Sequence, residues 1–195
     1  TPLFDKRNSK GLTEFGIEMI QEMERLGMIV DVSHLSDGGF WDVLHHTTQP
    51  FVASHSDAAS ECNVCRNLTD DMIRALADRG GVMGLNYCHD FLTESDKPTA
   101  LSADTSLFMD AGKQKKKISR MEDMVRHIKH IVNIGGIEVC GLGSDFDGIN
   151  NPVEFGNASG IQQLYEALIK SGFSEDDADK IFYKNVLRVY HDVLK

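Results

Sequence analysis

The sequence lacks a long apolar run, a basic surface and a cysteine framework. No stretch approaches the roughly 20 apolar residues that a membrane helix requires, and the first residues do not resemble a signal peptide. Lys and Arg number 20 against 30 Asp and Glu, so the net charge is -10, and the one basic run, at residues 113–117, is short. Because phosphate binding needs clustered Lys and Arg, we predict no membrane segment and no nucleic-acid partner.

Cysteine is scarce, with four in the chain: Cys62, Cys65, Cys88 and Cys140. A chain of this size with a helical core does not need disulfides, so we predict reduced thiols. Cys62 and Cys65 have the spacing of half a zinc site or of a redox pair. No second pair follows at zinc-finger distance and a thioredoxin-like context is missing, so we favour no functional role for them. Reduced cysteines without a visible targeting segment predict a cytoplasmic location.

What the sequence does contain is an ordinary globular composition, with 41% apolar and 26% charged residues among 195. That length is enough for a single domain, residues 1–195, with a real core. Four short apolar runs are nearly continuous, as is typical of strands in a parallel sheet that is covered on both faces. The predicted strands are residues 28–33, 51–54, 81–87 and 139–144.

The segments between these runs carry helix signals. Thr13, Ser36 and Thr69 are suited to N-cap positions, and Ser119 with Glu122 forms a capping-box pattern. The predicted helices are residues 14–26, 39–46, 70–78, 120–134, 161–170, 175–182 and 184–194. Residues 88–118 show no clear periodicity, so we predict a loop insertion or lid there.

The alternation of strands and helices predicts an α/β fold built from βαβ units with right-handed crossovers. Four parallel strands with their helices are half of a (β/α)8 TIM barrel. A flavodoxin-like open sheet is the alternative from the pattern alone. That fold favours Gly-rich phosphate turns after its strands, and none is convincing in this sequence.

Polar residues follow three of the predicted strands: His34 the first, His55 the second and Asp145 the fourth. In parallel barrels this rim holds the active site, and two histidines with a carboxylate are a zinc ligand set. A single histidine there is more often structural, but two at matching strand ends favour a shared ion. We interpret Asp147 as a turn residue of its Asp-Gly pair. The other six histidines lie on predicted helices or, for His89, open the insertion, and we do not expect ligands among them.

Several motifs occur in order along nearly the whole chain. They are GMIVDVSHLS at residues 27–36, PFVASHSDA at 50–58, RNLTDDMIRAL at 66–76, GGVMGLNY at 80–87, GLGSDFDG at 141–148 and, more faintly, NVLRV at 185–189. Together they resemble the membrane dipeptidase (renal dipeptidase) family of zinc peptidases. The resemblance implies the C-terminal half of a metal-dependent (β/α)8 barrel and a metallo-dipeptidase with two zinc ions.

Site residues follow from the resemblance by position. His34 and His55 match the two histidines that hold one zinc ion of the pair. Arg66 matches the arginine that holds the substrate carboxylate, although without the resemblance it reads as a surface residue at a helix entry. Asp145 matches the catalytic aspartate that binds the substrate amine and handles a proton. The implied reaction is hydrolysis of dipeptides, including those with a C-terminal D-residue, by a bridging water that the metals activate.

The sequence departs from the family in two places. The family's His-x-Asp strand and its bridging glutamate have no counterpart before His34, and Val64-Cys65-Arg66 stands where bacterial relatives have His-Pro-Arg. We therefore expect the chain to pair with the N-terminal half of the barrel or with a second copy as a homo-oligomer, because a half-barrel leaves strand edges unpaired. The competing reading is a non-catalytic barrel fragment or partner-binding module with an incomplete metal site. Lactam or ester cleavage on the same site is a third, weaker option.

Overall fold

A parallel sheet of three strands forms the centre of the fold in a computed structural model that describes residues 10–93 and 117–194. The strand order is β1 (Val52–Ala53), β2 (Val82–Leu85) and β3 (Cys140–Leu142), with Val52 opposite Val82 and Gly84 opposite Gly141. Three of the four predicted strands are therefore present in shortened form, and the fold is α/β as predicted.

The first predicted strand, residues 28–33, is not a strand of this sheet. Asp31 forms only an isolated parallel bridge with Val52, supported by bonds from Val32 N to Val52 O at 2.8 Å and from Val52 N to Val30 O at 2.9 Å. The chain then turns, because Leu35 N donates back to Val32 O at 2.9 Å. This turn ends the pairing after a single bridge, so the prediction of four strands is not confirmed at this position.

Three helices begin at the predicted caps. Helices α1 (Glu14–Arg25), α2 (Asp37–His46) and α3 (Asp70–Asp78) follow Thr13, Ser36 and Thr69, whose hydroxyls accept a backbone N–H three residues later. Such a cap satisfies a donor that the first turn cannot pair internally. The cap predictions are confirmed.

The predicted capping box at Ser119 is wrong. Helix α5 (Met121–Gly135) begins after Arg120, and the Arg120 side chain makes no cap bond. The helix before it, α4 (His89–Leu92), is a single turn. The Ser119 hydroxyl donates to Tyr87 O at 2.6 Å, and Glu154 accepts the Met121 N–H at 2.8 Å in its place. Most of the predicted insertion and of the basic run, residues 94–116, lies outside the described residues.

The C-terminal helices form one continuous stretch rather than two. Helix α6 (Gln162–Lys170) stands alone, whereas α7 (Glu175–Asp179), a π-helical turn (Lys180–Lys184) and α8 (Asn185–Val193) follow one another without a break. The sequence pattern predicted a break between helices 175–182 and 184–194. A π-helical turn lies at this position and continues the helix.

Helices cover both faces of the sheet. Met83 packs in the main core together with Ile73, from α3, and Ile128, from α5, whereas Val82 packs with Val189 and Val193 of α8. Because successive strand residues point to opposite faces, α8 covers the face that α3 and α5 leave open. Within the described ranges, no helix is both long and apolar enough to cross a membrane.

Two glycines bring the ends of the strands together. A Cβ built on Gly84 would lie 2.2 Å from Ser54 O, and one built on Gly143 would lie 2.0 Å from the same oxygen. Both distances are far shorter than any van der Waals contact, so only glycine fits at either position. The carboxyl ends of β1, β2 and β3 therefore converge, and the residues that follow them share one small region.

Candidate metal centre

His34 and His55 meet at the carboxyl edge of the sheet. Their Nε2 atoms are 2.8 Å apart, and the ring centroids are 4.8 Å apart at an interplanar angle of 52°. His34 is exposed and His55 is half-buried, so the pair lies at the surface of the protein. The structure thus brings together the two residues that the sequence assigned to one ion.

Ser33 holds the main chain beside the two histidines. Ser33, which is fully buried, accepts the His55 N–H on its hydroxyl at 2.9 Å. The carbonyl of Ser33 accepts from Arg66 Nε at 3.1 Å. Ser33, which precedes His34, therefore binds the backbone of His55, so the segments that carry the two histidines are joined directly.

A second set of contacts lies behind His55. Ser54 Oγ is 2.7 Å from His55 Nδ1 and 2.5 Å from Asp31 Oδ2, while Asp31 Oδ1 accepts the backbone N–H groups of Ser33 and Ser54 at 3.0 Å each. Burial raises the pKa of Asp31, but these hydrogen bonds outweigh it, and the net pKa is lowered. Asp31 and Ser54 were not predicted as site residues. The signal that points to them is an aspartate inside an otherwise apolar run, at residues 28–33.

Arg66 lies beside the histidine pair. Its guanidinium carbon is 5.2 Å from the centre of the Phe91 ring, and its NH2 atom is 3.4 Å from His34 Nε2. Burial lowers the pKa of Arg66, and the negative charge of nearby Asp145 opposes that shift. Arg66 and Asp145 therefore interact electrostatically.

Asp145 adopts a left-handed backbone conformation with φ of 62°, the only non-glycine residue in the described part of the chain to do so. This conformation costs energy, so the surroundings must hold it. Asn86 Nδ2 donates to Asp145 Oδ2 at 3.0 Å, and Gly148 leaves room for the carboxylate. Asp147 is exposed in the following turn, in line with its interpretation as a turn residue.

Asn86 connects the site to a buried carboxylate. It is fully buried, its Oδ1 accepts from Cys88 N at 2.7 Å, and its backbone N–H donates to Asp57 Oδ1 at 2.8 Å. Burial raises the pKa of Asp57 well above its usual value, and Asp57 Oδ2 has no hydrogen-bond partner among the described residues. Neither residue was predicted as part of the site, although Asn86 stands out as an amide that ends an apolar run.

The residues present fit a metal ion as part of its ligand set. Two imidazole Nε2 atoms that face each other are a zinc donor pair, and tetrahedral ligands at ~2.05 Å would stand about 3.3 Å apart. The observed 2.8 Å requires only a small opening of the rings. In residues 10–93 and 117–194, however, no group of three or more His, Cys, Asp or Glu could hold a metal. The described residues therefore supply two ligands.

The other polar residues that the sequence singled out lie elsewhere. His127 is buried and bonded at both ring nitrogens, to Ala58 N at 3.2 Å and Leu92 O at 3.0 Å, and His130 Nε2 lies 2.8 Å from Asp70. No disulfide joins the cysteines of the described ranges, and Cys62 Sγ contacts Asp90 O at 3.6 Å.

Comparisons with known proteins identify the family. The model of the membrane dipeptidase family (peptidase family M19) matches residues 1–195. A Klebsiella pneumoniae protein described as an uncharacterized protein in the pqqA 5′ region is 40% identical over 183 residues, which are 94% of this chain and 61% of that protein. An uncharacterized dipeptidase of Schizosaccharomyces pombe is 35% identical over 185 residues, 93% of this chain and 39% of that protein.

A solved structure is similar over the same length. The crystal structure of a metallopeptidase from Rhodobacter sphaeroides, liganded with a phosphinate mimic of the dipeptide L-Ala-D-Ala, superposes with a TM-score of 0.80 at 29% identity. The match covers 98% of this chain and 50% of that one. The chain therefore spans less than two thirds of the length of these three relatives.

Proposed function

Because the chain belongs to the membrane dipeptidase family of metallopeptidases, we propose that it contributes one metal-binding edge of a zinc-dependent dipeptidase. The observation that carries this proposal is the 2.8 Å approach of His34 Nε2 and His55 Nε2 at the carboxyl edge of the parallel sheet, where His55 follows β1 and His34 follows the segment that bridges to β1. The carboxyl edge of a parallel α/β fold is where barrel enzymes hold a catalytic metal.

His34 and His55 would hold one zinc ion of the two that the family resemblance implies. When bound, such an ion supplies a water of lowered pKa as nucleophile and polarises the scissile carbonyl. The described residues supply the two imidazoles and two anchors of His55: Ser33, which accepts its backbone N–H, and Ser54, which contacts its ring, so this ring is positioned before any substrate arrives. This preorganisation is the protein's contribution to the chemistry.

Arg66 would bind the carboxylate of the substrate. Its Nε donates to Ser33 O, and its NH2 atom lies 3.4 Å from His34 Nε2, so the guanidinium is held beside the histidine pair. A planar guanidinium can grip a carboxylate with two parallel hydrogen bonds, and a fixed guanidinium loses little entropy when it does so. Short substrates with a C-terminal carboxylate near the scissile bond are therefore favoured.

Asp145 would bind the amino group at the other end and return a proton to the departing amine. The Asn86 amide donates to its Oδ2, which limits rotation of the carboxylate, and Oδ1 would be the atom that meets the substrate. A carboxylate so placed beside an arginine matches a dipeptide zwitterion, with its amine and carboxylate at opposite ends. We propose that dipeptides with a C-terminal D-residue are included. The L-Ala-D-Ala mimic bound by the Rhodobacter sphaeroides relative supports that choice.

We also propose that the working site includes further polypeptide, either the other half of the barrel or a second copy of the chain. Phe15 and Met19 of α1 are 74% and 54% exposed, and Leu187 and Tyr190 of α8 are each close to half exposed. In the described part of the chain β3 pairs only with β2, which leaves its other edge for a partner. The cytoplasmic location predicted from the cysteines stays a prediction.

Gel filtration tests the partner proposal. Association with the other half, or self-association, is expected because apolar helix faces and a strand edge are exposed. A stable, soluble monomer of 21.7 kDa that shows no tendency to associate would contradict it.

Zinc content and hydrolysis of L-Ala-D-Ala decide between the enzyme and a non-catalytic module. The chain is assayed alone and together with the N-terminal half of a relative. We expect His34→Ala and His55→Ala to abolish zinc uptake, whereas His45→Ala, on the exposed face of α2, leaves it unchanged. If His34→Ala leaves zinc content and activity intact in the complete protein, the dipeptidase assignment of this site fails. Zinc uptake without hydrolysis of any dipeptide would favour the non-catalytic module.

A further inference from the structure

The contacts behind His55 determine where its proton lies. The Asp31 carboxylate is fixed by two backbone N–H groups on Oδ1, and its Oδ2 is 2.5 Å from Ser54 Oγ. The same hydroxyl oxygen is 2.7 Å from His55 Nδ1. One hydroxyl group thus stands between an acceptor that cannot donate and a ring nitrogen that can do either.

The direction of these bonds follows from counting hydrogens. An ionised carboxylate has no hydrogen, so Ser54 must donate its only one to Asp31. Ser54 Oγ can then only accept from the ring, which places a hydrogen on His55 Nδ1. A neutral imidazole carries one N–H, so the lone pair of His55 remains on Nε2, the atom that faces His34.

The opposite direction of these hydrogen bonds would give weaker bonds. Arg66 NH2, at 3.4 Å from His34 Nε2, would favour His34 as an acceptor and His55 Nε2 as the donor between the rings. Ser54 would then donate to His55, and the 2.5 Å contact with Asp31 would contain no hydrogen. A short bond to a carboxylate is among the strongest that a hydroxyl makes, whereas 3.4 Å is near the limit of a hydrogen bond. The Asp31 contact therefore decides the arrangement.

We propose that Asp31, acting through Ser54, is a positioning residue that fixes His55 in its Nδ1–H tautomer and presents the Nε2 lone pair to the metal. The inference rests on the proposed function, because the tautomer has this role only where His55 binds a metal. Hydrogen bonds from outside the ligand shell fix ring orientation in the same way at other metal sites, and their loss costs about 10- to 100-fold in metal affinity.

Asp31→Asn is the sharpest test, because it changes the hydrogens and almost nothing of the shape. The amide oxygen keeps the N–H bonds of Ser33 and Ser54, so the amide NH2 faces Ser54 Oγ and donates to it. Ser54 then donates to His55, and the ring hydrogen moves to Nε2. In 15N NMR spectra of the metal-free chain we expect His55 as Nδ1–H in the wild type and as Nε2–H in the variant. Competition between zinc and a chromophoric chelator should show an affinity about 10- to 100-fold lower.

A second variant and a control accompany this test. Ser54→Ala removes the relay, and we expect a mixture of His55 tautomers with a weaker loss of zinc affinity. Ser60→Ala removes a serine–aspartate hydrogen bond of the same chemistry, to Asp70 at 2.8 Å on the surface. It should change neither the tautomer of His55 nor the zinc affinity. Amide NMR spectra show whether each variant keeps the fold.

The possible results separate this inference from the function beneath it. An Nε2–H ring in the wild type, or unchanged tautomer and zinc affinity in both variants, would overturn the role of Asp31. If the chain combined with the N-terminal half takes up no zinc while the tautomer of His55 still responds to Asp31→Asn, the role of Asp31 stands and the proposed metal site is contradicted.

Discussion

Stability between pH 7 and pH 4 should depend on His127, a residue that the site does not use. His127 belongs to α5 and is fully buried, where its Nδ1 accepts from Ala58 N, in the loop after β1, at 3.2 Å and its Nε2 donates to Leu92 O, of α4, at 3.0 Å. Only a neutral ring can make both bonds. Burial, the largest cause, lowers the pKa of His127 from 6.5 to about 4.

The sign and size of the effect follow from linkage. A depressed pKa in the folded state means that the unfolded chain binds the proton more readily, so the contribution is complete above pH 6.5 and is lost as the pH falls towards 4. A difference of about 2.5 units at ~1.36 kcal/mol per unit gives roughly 3 kcal/mol of unfolding free energy. This is a large share of the stability of a domain.

Urea unfolding at a series of pH values measures this contribution. The difference in unfolding free energy between the wild type and His127→Gln should shrink by roughly 3 kcal/mol from pH 7.5 to pH 4, since other titrating groups cancel in the difference. His191→Gln, an exposed histidine on α8, is the matched control and should give a flat difference. A flat difference for His127→Gln as well would refute the reasoning.

Three further results are expected. Asn86→Ala should destabilise the chain by about 2 kcal/mol in urea unfolding and reduce dipeptide hydrolysis, because Cys88 N and Asp145 Oδ2 lose their partner; full activity in the complete protein would contradict this. Gly143→Ala should cost about 3 kcal/mol or more because its Cβ would meet a backbone oxygen at 2.0 Å, whereas Gly16→Ala, near only the Leu12 and Thr13 side chains, should change stability by less than about 1 kcal/mol. Arg66→Lys should raise KM for a dipeptide by roughly tenfold or more while zinc affinity stays unchanged, since Lys cannot form the forked pair; an unchanged KM would count against Arg66 as the carboxylate site.

Local signals in the sequence predicted local structure well. Thr13, Ser36 and Thr69 are N-caps because the preference acts over three residues and needs no tertiary partner. Ser119 has the same pattern, yet its hydroxyl bonds to Tyr87 O, 32 positions away. A long-range contact of that kind overrides a capping signal and is invisible to a local pattern.

The site was predictable in part for the same reason. His34 and His55 end two apolar runs, and parallel pairing places matching ends together, so their approach follows from alternation of strands and helices. The hydrogen bond between Asp31 and Ser54 depends on how residues 28–33 pair with β1, and this register cannot be read from the sequence. Residues 28–33 also have a strand composition but contact β1 at a single bridge, because the turn at Leu35 ends the pairing.

The crowding of Gly84 and Gly143 around Ser54 O has a consequence for how the site can change over evolution. The main chain at Gly84 and Gly143 packs directly against the Ser54 carbonyl, so neither position can accept a side chain without moving a backbone oxygen. Sequence variation among relatives is therefore expected at other positions around the histidines, and these two should remain glycine.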